Sequence, residues 1–151
     1  MESENIQSLA QRARAAILFA IYHAKSGHPG GSLSCVDLLV YLYKHEFNIK
    51  DRGSLILSKG HAVPAWYAIA AEFGLINKNE LASFRKLGSK LQGHPHVLST
   101  PWVNTSTGSL CQGFSVAVGI ALAMRYQNET ANTYVLLGDG ELQENYRALI
   151  E

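Results

Sequence analysis

The stretch TYVLLGDGELQE (133–144) decides how this chain is read. TYVLL (133–137) is a short run of β-branched, aromatic and aliphatic residues, suited to a buried parallel strand. GDGE (138–141) follows it without a spacer. Gly138 and Gly140 lack a Cβ and let the backbone approach a ligand closely. Asp139 between them offers a hard carboxylate oxygen, the kind of ligand Mg2+ takes while sharing its shell with phosphates. A helix expected to start near Glu141 adds free backbone N–H groups and the positive end of its dipole, an arrangement suited to a diphosphate. Alone, GDG is explained equally well as a strand-to-helix turn that needs small residues and a capping aspartate.

Outward from this stretch, strands and helices alternate. SLILS (54–58) reads as a second buried strand and ends in SKGH (58–61), another polar loop bearing a glycine. Apolar and small residues at 6, 9, 10, 13, 17, 20, 21 and 24 repeat at helical spacing and predict a helix over 4–25, stopped by Gly27. SGHPGGS (26–32) is rich enough in glycine and proline to read as an ordered loop. Ser34 with Asp37 resembles a capping box that opens a helix running to Phe47. Val63 to Phe73 predicts a helix with Pro64 tolerated in its first turn and Gly74 at its end. Asn77 and Glu80 mark another helix start, running to about Lys86. Residues 88–107 have no periodicity and predict a long loop, and loops of that length usually serve a function. Gly108 to Gly113 leads into a small-residue helix through Val116, Ala117, Ile120, Ala121 and Met124. The alternation predicts an α/β fold with a mostly parallel sheet, in a single, partial domain over residues 1–151. Ligands of such sheets lie beyond the carboxyl ends of the strands, where both glycine-bearing loops sit.

Composition excludes several classes. The 151 residues include 13 Lys and Arg against 12 Asp and Glu, a net charge of +1, which argues against a nucleic-acid binder or an acidic disordered tail. No apolar run approaches the ~20 residues that span a bilayer. MESENIQSLA (1–10) is acidic and polar where a signal peptide is basic and then apolar. Two cysteines, Cys35 and Cys111, are too few for a disulfide scaffold and suit a reducing cytosol, so a cytoplasmic location is expected. Cys35 reads as buried packing. Cys111, in a glycine-rich loop before a helix, reads as a thiol of lowered pKa or as a small residue in a tight place.

Three of the six histidines stand in glycine-flanked loops: GHPG around His28, KGHA around His61 and QGHP around His94. Histidine can hydrogen-bond sugar hydroxyls or phosphates and move protons near neutral pH. His23 and His45 read as structural or exposed, and His96 fits either role. No H-E-x-x-H pair supports a zinc hydrolase, and no G-x-S-x-G elbow supports a serine nucleophile.

Taken together, SGHPGGSLS (26–34), LSKGHAVPAWYA (57–68), LGSKLQGHP (87–95), STGSLCQGFSVAVGIALA (106–123) and YVLLGDGELQE (134–144) resemble transketolase. The resemblance is to its amino-terminal diphosphate-binding part, most closely in the bacterial and archaeal enzymes split between two chains. It implies a three-layer thiamin-diphosphate-binding fold and a cofactor pair of thiamine diphosphate and Mg2+. It also implies transfer of a two-carbon ketol unit between sugar phosphates, the chemistry of the pentose phosphate pathway. By resemblance Asp139 is the Mg2+ ligand, and Gly138 and Gly140 are the backbone approach to the diphosphate. His61 touches the diphosphate and lines the substrate channel. His28 and His94 hydrogen-bond the donor sugar's hydroxyls and the carbanion intermediate. Gly108, Ser109 and Leu110 form the loop against the cofactor, with Leu110 on its rings. Glu144 lies between subunits, where carboxylates link two active sites. The resemblance further implies a dimer or hetero-oligomer that includes a pyrimidine-binding partner subunit.

Two departures stand against the family pattern. Cys111 occupies a position usually held by glycine, which predicts a shifted or crowded loop. The family completes its metal site with an asparagine about one βα unit, ~30 residues, beyond the GDG. Here the sequence ends twelve residues after Asp139, and Asn145 comes too early. The expectation is therefore an enzyme part with little activity alone. A folded fragment or interaction module that lost the site competes with it, as does a related thiamine-dependent enzyme of the deoxyxylulose-phosphate synthase type. The GHPGG and LQGHP loops favour transketolase over the latter.

Overall fold

A computed structural model describes residues 5–46 and 53–148, with the side chains of 145–148 excepted. Phe47, the expected end of the second helix, lies outside the described residues. The chain divides into two compact units, one comprising Met1–Glu46 with His61–Gly93 and the other Phe47–Gly60 with His94–Glu151.

The first unit is helical. Helix α1 (Ile6–Ala24) follows the predicted stripe, burying Leu9, Ala10, Ala13, Ile17 and Ala20. Asn5 caps its first turn by accepting from the Gln7 amide at 3.0 Å. The helix closes on Lys25 in the left-handed region (φ 53°), so it stops two residues ahead of Gly27. The stretch predicted as a loop holds a short helix, α2 (Pro29–Leu33), instead. Proline at the first helical position loses only an N–H that would have no helical partner, and its ring presets the helical φ. The predicted capping box at Ser34 does not form. Ser34 donates to Gly31 O at 3.0 Å, Asp37 pairs with Arg14, and Cys35 precedes helix α3 (Val36–Tyr41), which widens into a π-turn over Leu42–Glu46. Helix α4 (Val63–Glu72) is buried from Val63 to Ala71, with Pro64 in its first turn as expected. Its Trp66 donates to the Tyr43 hydroxyl at 2.5 Å, giving a wholly buried indole N–H its partner. The helix predicted from Asn77 is a 3-10 turn (Lys78–Ser83) whose capping box does form.

Glu72, at the end of α4, receives Arg12 of α1 at 2.6 Å and Lys78 at 2.6 Å. Burial opposes its charge, but the hydrogen bonds and charges of Lys78 and Arg12 outweigh that and hold the carboxyl below its usual range. A carboxyl with a lowered folded-state pKa stabilises above its unfolded-state value, and this contribution is lost as pH falls through the folded-state value. Arg12 and Lys78 are 38% and 60% exposed at the side chain, which keeps the contribution near ~1 kcal/mol. Urea denaturation should therefore show Glu72→Gln less stable than wild type at neutral pH. The two curves should converge in the acid range; a gap that persists there contradicts the assignment.

The second unit carries the sheet. Strands β1 (Ser54–Leu57) and β2 (Thr133–Leu136) pair in parallel, Leu55 opposite Tyr134 and Leu57 opposite Leu136. Helix α5 (Gln112–Tyr126) packs on both strands and buries Gly113, Ala117 and Met124, and helix α6 (Asp139–Ala148) follows β2. β1 is buried throughout, whereas the first three residues of β2 are half-buried. On the side of β1 away from β2, the long loop supplies what a neighbouring strand would. Asn104 accepts from Leu55 N at 2.9 Å, and the Thr107 hydroxyl donates to Leu57 O at 2.6 Å. Among the described residues no strand lies beyond β2.

Candidate functional site

The ends of both strands meet in one side chain. Helix α6 starts at Asp139, two residues earlier than predicted, which makes Gly138 its cap and Glu141 its third residue. From that position the Glu141 carboxylate reaches back to the Gly138 amide at 2.9 Å, the acidic half of a capping box. Its other oxygen accepts from the Ser58 hydroxyl, at the end of β1, and from the Cys111 amide at 2.9 Å, at the start of α5. Glu141 is 2% exposed; its bond to Ser58 is buried, and those to the half-buried Cys111 and Gly138 amides are part-buried. One buried carboxylate thus fastens the turn after β1, the loop before α5 and the turn after β2.

The glycines around it are spatial necessities. A Cβ on Gly113 would lie 2.6 Å from Ser58 Oγ, and one on Gly60 would lie 2.9 Å from the Thr107 carbonyl. Gly138 and Gly140 differ: a Cβ on Gly140 would meet nothing within 4 Å, and one on Gly138 nothing nearer than 3.7 Å. Space is therefore open over the backbone at Gly140, whereas a Cβ on Gly138 would rest in ordinary contact with Glu141 and Lys59. Asp139 and Gly140 are both exposed at the first turn of α6.

The predicted residues fall in both units. In the first, the His28 and His61 rings stand edge to face with centroids 5.4 Å apart. A Cβ on Gly31 would lie 3.2 Å from the His61 ring, so the GHPGG glycine admits the imidazole. In the second, the His94 ring lies against Gly108, where a Cβ would come within 3.3 Å. Ser109 is exposed and Leu110 half-buried, in the turn that leads to Cys111, and Glu144 is exposed on α6. Among the described residues no three His, Cys, Asp or Glu side chains cluster as a metal site.

Comparison with known proteins decides the family. The model of the transketolase thiamine diphosphate binding domain matches residues 6–148. This chain belongs to the transketolase family. One subunit of the apulose-4-phosphate transketolase of Phocaeicola vulgatus is 34% identical over 151 residues, 95% of this chain and 53% of that protein. Human transketolase is 36% identical over 154 residues, 95% of this chain and 25% of that protein. The solved transketolase of Leishmania mexicana superposes with a TM-score of 0.84 at 31% identity, over 97% of this chain and 25% of that one. This transketolase-family chain thus spans about half the length of the Phocaeicola subunit, and a quarter of that of the full-length enzymes. The α/β fold with its parallel sheet is the fold of the family's amino-terminal part.

Two features of this member were not read from its sequence. Glu141 was not among the predicted site residues, although a glutamate three positions after a capping glycine is the signal of a side chain that turns back on its helix. Cys111 holds φ 79°, a left-handed conformation that favours glycine, and its thiol pKa is raised rather than lowered. Burial pushes it up, and the charges of Glu144 and Glu141 push it further. Cys111→Gly keeps the amide that Glu141 binds and relieves the backbone. It should raise stability by about 1 kcal/mol, read from the urea midpoint; a lower midpoint would show that the conformation costs nothing here.

Proposed function

We propose that this chain is the diphosphate-binding part of a two-chain transketolase, which binds thiamine diphosphate with Mg2+ and moves a two-carbon ketol unit between sugar phosphates. The observation that supports it most is the corner at Asp139. An exposed carboxylate opens a helix next to a glycine with no atom within 4 Å of its missing Cβ, and the buried Glu141 holds the turn. These residues fit a magnesium diphosphate. Asp139 is a hard oxygen ligand, Gly140 leaves room over the backbone, and the first turn of α6 presents its dipole. With Asp139 as its one carboxylate here, a bound Mg2+ would take its remaining oxygen ligands from outside the described carboxylates, the diphosphate and water among them.

When bound, the cofactor's thiazolium ring supplies the nucleophilic carbon and stores the electrons released by the ketose. In this reading His61 faces the diphosphate and the substrate channel. His28 and His94 hold the sugar hydroxyls and move protons at those oxygens. The loop Gly108–Ser109–Leu110 backs the cofactor, and Glu144 reaches the neighbouring subunit. The partner is a pyrimidine-binding subunit, in keeping with the Phocaeicola relative, which is itself named as one subunit of its enzyme.

Tryptophan fluorescence tests the binding. Trp66 is wholly buried on Tyr43, so the report falls to the half-buried Trp102 of the long loop. A saturable change with thiamine diphosphate that requires Mg2+ supports the reading. Its absence in the presence of the partner subunit favours a folded module without the site.

A further inference from the structure

Within the second unit, the loop over 94–107 hangs on the side of β1 away from β2. The Ser54 and Ser58 amides donate to Asn132 O at 3.1 Å and Leu136 O at 3.0 Å, so the peptide groups of Leu55 and Leu57 face the other way. There they meet two side chains. The Leu55 amide donates to Asn104 Oδ1 at 2.9 Å, and Leu57 O accepts from the Thr107 hydroxyl at 2.6 Å. Leu57 is wholly buried and is the last residue of β1, so the Thr107 bond sits at the carboxyl end of the strand, where ligands of parallel sheets lie. The same residue closes the loop. The Thr107 amide donates to Pro95 O at 3.4 Å, and the Val97 amide donates to Ser106 Oγ at 3.0 Å. His94 directly precedes the buried Pro95, and Gly108, Ser109 and Leu110 directly follow Thr107. The imidazole and the proposed cofactor loop thus leave from either end of a single rung, and one hydroxyl joins that rung to the sheet.

We propose that Thr107 is a positioning residue, whose hydroxyl bond to Leu57 O fixes where His94 and the Gly108–Leu110 turn stand at the end of β1. Threonine suits the task. Its branched Cβ restricts χ1, so the hydroxyl needs little ordering to reach the carbonyl. Valine keeps that shape and cannot donate, whereas serine keeps the donor. The functional consequence rests on the reading in which His94 holds the sugar and the turn backs the cofactor.

The test follows histidine ring resonances in the full chain, with far-UV circular dichroism as a check on folding. Thr107→Val should shift the His94 ring signal beyond its line width and leave that of His45 in place. Thr107→Ser should return the His94 signal to its wild-type position. Ser106 is exposed, and Ser106→Ala takes the acceptor from the Val97 amide in the same loop. It should also move His94, which keeps the test intact if Thr107→Val fails to fold. An unmoved His94 signal in a folded Thr107→Val chain, or in Ser106→Ala where Thr107→Val does not fold, overturns the proposal. So does an equal shift in Thr107→Ser and Thr107→Val, which would assign the effect to packing and not to the bond. With the partner subunit present, Thr107→Val should raise both KM for the ketose and Kd for thiamine diphosphate about fivefold, as expected for one lost hydrogen bond, with Thr107→Ser near wild type. A shifted His94 signal with both constants unchanged would keep the tie and refute the roles proposed for His94 and the turn.

Discussion

Glu141→Ala should destabilise the chain by about 4 kcal/mol, the largest loss expected from any single side chain discussed above. The carboxylate is buried and accepts from the Ser58 hydroxyl and from the Cys111 and Gly138 amides, and alanine leaves all three donors without it. A buried donor left unmade, as at Ser58, costs about 1–3 kcal/mol and the two half-buried amides less each, against a total stability of about 5–15 kcal/mol for a typical domain. Urea denaturation at neutral pH measures the loss directly, with the slope of the transition unchanged. Glu141→Gln separates charge from shape. Its amide keeps one acceptor and turns an NH2 toward donors, so its cost should fall between alanine and wild type. If Glu141→Ala stays within about 1 kcal/mol of wild type, the three bonds do not carry the turn.

Asp139→Ala should weaken Mg2+-dependent thiamine diphosphate binding at least ~100-fold, because it removes the carboxylate proposed to hold the metal. Asp139 is exposed and opens α6, so its loss should leave the fold in place. His94→Ala should bind the cofactor about as well as wild type and lose only sugar recognition, read as a rise in KM with the partner subunit. Equal loss of cofactor affinity in both variants would contradict the two roles. Against Glu141→Ala, the contrast is between a variant that unfolds the corner and one that empties it.

The helical stripe of α1 and the buried run of β1 were readable because periodicity and hydrophobicity are local signals. So was the capping box at Asn77, where both partners lie within four residues. Errors arose where a residue's role was set from a distance. Asp37 reads as the end of a capping box, but Arg14 of another helix takes its carboxylate. Pro29 reads as a breaker, but with no helix ahead of it in that turn it opens one. The glycines at 60 and 113 are visible in the sequence, but the Thr107 and Ser58 atoms that require them lie 47 and 55 residues away. Glu141 combines both cases. Its bond to Gly138 follows from spacing, while its hold on Ser58 and Cys111 follows only from the folded chain.

That hold has a kinetic meaning. Ser58 and Glu141 are 83 positions apart, so the corner closes a long loop and gains nothing until both strands and α5 are in place. It should be among the last parts to form during refolding and among the first to open, with amide hydrogens at Cys111 and Gly138 exchanging sooner than those of α4. A diphosphate seated there would bind the closed form alone and slow that opening by mass action.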